Sequence, residues 1–153
     1  MSEKDKILAS LFQTVTPRTA GFNTVDLTKI SEAGITIMIL LMLIGGAPGS
    51  TAGGMKLTTV AILFTNMITV FKRKGDIECY GRRIEDSVVK SAATLIMMYA
   101  SLCIGGAVII SIVEKLPMLA CIFETASAVA TVGLTLGITP GLGIVSKIVL
   151  IIL

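Results

Sequence analysis

Two short stretches carry the groups in this sequence best suited to chemistry. Thr19, Ala20, Gly21 and Phe22 are echoed 112 residues later by Thr131, Val132, Gly133 and Leu134. Ahead of each stands a second match: Phe12, Gln13 and Thr14, then Phe123, Glu124 and Thr125, 111 residues on. None of these side chains forms a nucleophile–base pair, and the chain has no histidine at all. The chemistry they offer belongs to the main chain. A glycine adopts positive φ without the Cβ penalty, and an unusual backbone can point several successive carbonyl oxygens the same way. Such a row of oxygens can replace the water that a cation loses on entering a pore. Thr131, Val132 and Gly133 also match the first three residues of the Thr-Val-Gly-Tyr-Gly potassium-channel filter. Leu134 and Thr135 then depart from it.

The elements that must hold these stretches can be read on either side. Residues 16–24 begin Thr16, Pro17, Arg18 and end Asn23, Thr24, a loop composition in which Pro17 removes a donor and biases Thr16 to extended backbone. Before it, Ile7, Leu8, Leu11, Phe12 and Val15 fall on one side of a helix over 3–15, too short to span a bilayer. After it, Thr28 or Ser31 is the candidate cap for an apolar helix over 33–44. Next come Gly45, Gly46, Ala47, Pro48, Gly49, Ser50, Thr51, Ala52, Gly53 and Gly54, a run that cannot hold a regular helix. Apolar sequence resumes over 57–71, so one membrane crossing is expected to be broken in its middle. Irregular backbone at that depth survives where it is buried in protein or lines a wet cavity.

Residues 72–83 hold the densest cationic cluster, Lys72, Arg73, Lys74, Arg82 and Arg83, which places this loop in the cytoplasm by the positive-inside rule. Residues 91–113 are uncharged and long enough to cross a membrane. A second short helix is expected over 118–129, a loop over 130–140, and a returning helix from 142. Both polar loops then lie on the outer side. The run Ile148 to Leu153 stops without a cap, and the sequence is expected to be a piece of a longer protein.

Composition agrees with a membrane setting. Of 153 residues, 54% are hydrophobic and only 15% charged, against about a quarter in an ordinary soluble domain. The net charge of +3 is too small to argue for nucleic acid. Cys79, Cys103 and Cys121 show neither metal-ligand spacing nor a disulfide framework and are expected to be core residues. The glycine run brushes against the phosphate-loop pattern, but Lys56 comes one position late and no Ser or Thr follows it.

Taken together, residues 16–24, the glycine run with Lys56, and residues 130–139 resemble the Trk/Ktr/HKT superfamily of potassium transporters, over nearly the whole chain. The resemblance implies an all-α membrane protein of repeated helix–pore loop–helix units. This chain would carry parts of the third and fourth of four: residues 1–83 the pore loop and broken second helix of one, residues 84–153 the first helix, pore loop and start of the second helix of the next. It implies a filter at Thr19, Ala20, Gly21, Phe22, Thr131, Val132, Gly133 and Leu134, with Gly21 and Gly133 as filter glycines. The run 45–54 would be the intramembrane gate below it. The implied function is transmembrane transport of potassium, with sodium as a second ion left open, by a multi-pass cell-membrane protein that is not an enzyme and has no covalent cofactor. The implied partners are the lipid bilayer, a second copy of the full-length protein and a cytoplasmic nucleotide-binding regulatory subunit. One glycine per loop gives a less regular oxygen cage than a channel's, and hence weaker discrimination against sodium. Arg18 has no counterpart to which a role attaches. Glu124 has two roles open, bracing the second loop or attracting cations, and bracing is the better fit for a carboxylate among apolar neighbours. Lys56 and Asn66 either line the inner pore or, for Lys56, snorkel. The competing reading is a carrier of a small organic solute that binds at the broken helix.

Overall fold

The computed structural model describes residues 3–73, 77–79 and 82–153, and is mostly helical. Its elements are α1 (Glu3–Val15), α2 (Glu32–Leu43), α3 (Leu57–Phe71), a two-stranded hairpin of β1 (Glu78–Cys79) and β2 (Arg82–Arg83), α4 (Asp86–Glu114), α5 (Met118–Val129) and α6 (Ile144–Ile152). Within the expected basic loop, Lys74 and Asp76 lie outside the described residues. The hairpin was not foreseen: Glu78 pairs with Arg83 and Cys79 with Arg82.

Local signals account for the boundaries. Ser31, in extended backbone, accepts from Gly34 N at 3.3 Å and caps α2. The other cap candidate, Thr28, instead serves Asp26, whose carboxylate takes the Thr28 amide and hydroxyl at 3.1 and 2.6 Å. That bond starts the 3-10 turn Leu27–Lys29 and sends Leu27 into the core at 2% exposure. The α4 helix ends at Lys115, which takes left-handed φ just before Leu116 and Pro117. It is the one described helix long and apolar enough to cross a membrane; α2, α3 and α5 are shorter apolar helices.

The core is built around α5, which packs on α4, α2 and α6. Phe123 and Ala126 of α5 are fully buried with Met38, Ile39 and Met42 of α2, Cys103 of α4, and Val132 and Leu134 beyond the helix. Cys121 joins a second cluster with Ala107, Ile110 and Leu142. Thr125 fastens α5 to α4: its hydroxyl, fully buried, lies 3.0 Å from the Cys103 carbonyl and 3.0 Å from that of Cys121. Much of the apolar surface is left uncovered, including Leu8 and Leu11 of α1, Phe64 and Phe71 of α3, and Met97 and Ile112 of α4.

A paired glycine loop as candidate cation site

The two echoed stretches adopt the same backbone. Thr19 and Gly21 have φ of 65° and 69°, and Thr131 and Gly133 have 54° and 85°. In each, the residue between them stays at negative φ. A threonine at positive φ costs on the order of 1–3 kcal/mol and persists where its surroundings hold it. Two threonines held this way at equivalent positions make the match one of conformation as well as of letters.

The loops also meet. A Cβ built on Gly21 would fall 2.5 Å from the Val132 carbonyl oxygen and 3.8 Å from Gly133 Cα. Only hydrogen fits there, so the Gly21 backbone lies against the Val132 carbonyl of the second loop. Gly133 has open space in the direction of a Cβ. Around the second loop runs a cavity of about 510 Å³, lined by Thr131, Val132, Gly133, Leu134 and Thr135 together with Glu124, Ser127 and Thr139.

The glycine run 45–54 packs on the same place. A Cβ on Gly53 would collide with Thr131 Oγ1 and the Ala130 carbonyl, and one on Gly45 with the Gly53 carbonyl. The ends of the run are stitched together by a parallel bridge between Ile44 and Met55, with Gly45 N donating to Met55 O at 2.8 Å and Met55 N to Leu43 O at 3.0 Å. Lys56 does not point away from it. Its Nζ donates to the Ser50 and Ala52 carbonyls at 2.7 and 2.8 Å, so the ammonium clasps the run from its C-terminal side.

Each loop is braced from behind. Glu124, 4% exposed, accepts from Thr135 Oγ1 at 2.6 Å, Leu136 N at 3.0 Å and Thr139 Oγ1 at 2.7 Å. Of the two roles the sequence left open, the bonds are those of a brace: a buried carboxylate met by three donors from the segment just past Gly133. The corresponding Gln13 reaches only Met38 Sδ, at 3.8 Å, and its Oε1 is buried without a partner among the described residues. In the first loop the brace is Thr16, 1% exposed, whose hydroxyl donates to the Phe22 carbonyl at 2.6 Å. Arg18 is exposed. The sequence reading passed over Thr135 and Thr139. Their four-residue spacing just past a glycine, with an acid on the preceding helix, was the available signal. Thr16 gave none beyond its place before a proline. Cys103 and Cys121 are buried free thiols, as expected of core residues.

Among the described residues no group of His, Cys, Asp and Glu side chains could hold a metal ion.

The family described as Cation transport protein, TrkH, matches residues 1–153. The potassium/sodium uptake protein NtpJ of Enterococcus hirae is 42% identical over 151 residues, 96% of this chain and 34% of that protein. The Ktr system potassium uptake protein B of Bacillus subtilis is 39% identical over 149 residues, 97% of this chain and 34% of that protein. Its namesake from Vibrio alginolyticus is 37% identical over 145 residues, 95% and 32%. The chain spans about a third of the length of these relatives. With every residue inside the match, the chain belongs to the TrkH family of cation transport proteins, which are membrane transporters and not enzymes.

Proposed function

We propose that this chain supplies two of the loops and the gate of a potassium-conducting pathway. In this reading the carbonyls of residues 19–22 and 131–134 take over from the hydration shell of a potassium ion, and the run 45–54 obstructs the path beneath them. The observation that carries the proposal is the contact between the loops: two stretches of like sequence and like φ, brought together with the Val132 carbonyl at the Gly21 backbone. The seating of Gly53 against Thr131 and Ala130 supports the gate. The names of the relatives, potassium or potassium/sodium uptake proteins, support potassium as the ion, with sodium admitted.

The finer organisation belongs to the same proposal. Residues 1–83 and 84–153 are the third and fourth of four helix–pore loop–helix units, and α2 and α3 are the halves of one broken crossing. Residues 72–83 face the cytoplasm. The complete protein pairs with a second copy and with a cytoplasmic nucleotide-binding regulatory subunit. No observation favours the organic-solute carrier, and the names of the relatives weigh against it.

The test is ion uptake by the complete transporter in cells stripped of other potassium uptake. Potassium uptake with modest preference over sodium, and block by caesium, is the expected outcome. Saturable uptake of an organic solute, without cation flux, would overturn the reading.

A further inference from the structure

The loops are braced unequally at equivalent points. Ala20 N donates to the Thr16 carbonyl at 3.1 Å, and Val132 N to the Ser127 carbonyl at 2.9 Å. Thr16 and Ser127 therefore hold the same station, each receiving the amide of the residue before the glycine. Their hydroxyls differ in use. Thr16 Oγ1 donates to the Phe22 carbonyl at 2.6 Å, a short bond made by a side chain that is 1% exposed. Pro17, also buried, follows it, and Thr16 sits in a hydrogen-bonded turn, its amide donating to the Phe12 carbonyl at 3.0 Å. Among the described residues, the Ser127 hydroxyl ties back no carbonyl of its own loop. Ser127 lines the 510 Å³ cavity beside Thr131 and Gly133 instead.

We infer that Thr16 is a specificity-determining positioning residue: its hydroxyl turns the Phe22 carbonyl into the protein, so the first loop presents oxygens to the ion only as far as Gly21. The second loop, with no such tether on Leu134, presents one more. This rests on the filter reading above and narrows it, since Phe22 then leaves the set of coordinating residues. The physical reason is that discrimination among cations depends on how many carbonyl dipoles surround the ion and how firmly they are held. A carbonyl fixed by a buried hydrogen bond is oriented away from the path and cannot swing to shrink the cage around a smaller ion. Removing the hydroxyl frees that peptide to turn.

The experiment compares potassium and sodium uptake by the complete transporter carrying Thr16→Val, Thr16→Ser or Gly21→Ser. Thr16→Val is expected to lower the preference for potassium by about fivefold, the worth of one ordinary hydrogen bond. Thr16→Ser, which keeps the donor, is expected to retain the preference. Thr16→Ala is read the same way should the valine protein fail to reach the membrane. An unchanged preference in Thr16→Val, an equal fall in uptake of both ions, or a serine variant that behaves like valine would overturn the inference. Gly21→Ser separates the two levels. If it lowers the preference while Thr16→Val does not, only the role of Thr16 fails. If neither changes it, the filter reading fails as well.

Discussion

Gly21 and Gly133 occupy equivalent positions but are glycines for different reasons. Both hold positive φ, where any side chain is strained by about 1–3 kcal/mol. Gly21 in addition has the Val132 carbonyl where its Cβ would be, and that atom is backbone and cannot step aside. Gly133 faces open space. Serine at either position is expected to loosen discrimination between potassium and sodium, and Gly21→Ser to do so more severely, with a loss of uptake of about tenfold or more. Parallel uptake measurements on the two variants check the order; equal effects would mean that the loops do not touch. Glu124 gives a second residue-scale prediction. Glu124→Ala leaves the Thr135 and Thr139 hydroxyls and the Leu136 amide without their acceptor, which costs about 1–3 kcal/mol for each buried donor that finds no substitute. Thermal unfolding of the purified protein in detergent is expected to drop markedly, and Thr139→Val by less. At this scale the sequence was legible where chemistry and spacing coincide, as in the Thr-x-Gly echo. The braces were hidden. Glu124 and Thr139 are fifteen positions apart, and only a fold that turns the chain back on α5 makes them neighbours.

The helices were legible because their apolar stretches are long and end in strong breakers: Gly45 after α2, Pro117 before α5, Pro140 and Gly143 before α6. What pattern could not supply was the internal order of the glycine run. A composition of glycine, alanine, serine and threonine says that the run is irregular, but not that Ile44 and Met55 close it or that Lys56 clasps it. If the run is a gate, two outcomes follow. Gly53→Ala cannot be seated against Thr131 and Ala130, so the run must withdraw, and potassium flux is expected to rise severalfold. Shortening the run within 47–52 is expected to do the same. Flux unchanged in both would remove the gate from the account. A smaller element carries a prediction for pH. Hydrogen bonds from Thr28 hold the Asp26 carboxyl below its ordinary value of 3.8. The 3-10 turn is therefore stabilised by the ionised acid above that pH, and this support is lost as pH falls through the lowered value. Amide exchange at residues 27–30 is expected to quicken only in strong acid, and Asp26→Asn to remove the dependence.

At the scale of the whole molecule, the uncovered apolar faces of α1, α3 and α4 state the setting. Exposed Leu, Phe and Met on three helices need either lipid or further protein, and the chain is about a third of the length of the relatives it matches. A membrane class was legible from composition alone, since few charges and many apolar residues leave little choice. Which faces meet lipid and which meet the rest of the transporter was not, because periodicity marks an apolar face without naming its cover. The hairpin at 78–83 went unforeseen for a related reason: two-residue strands carry too little alternation to be read. The central claim concerns carbonyl oxygens, and it is most directly tested by locating the ion. Anomalous diffraction from crystals of the complete transporter soaked in thallium or rubidium is predicted to show a peak at coordinating distance from the main-chain oxygens of residues 19–21 and 131–134. Peaks confined to other parts of the molecule, with both glycines remote from every bound ion, would contradict it.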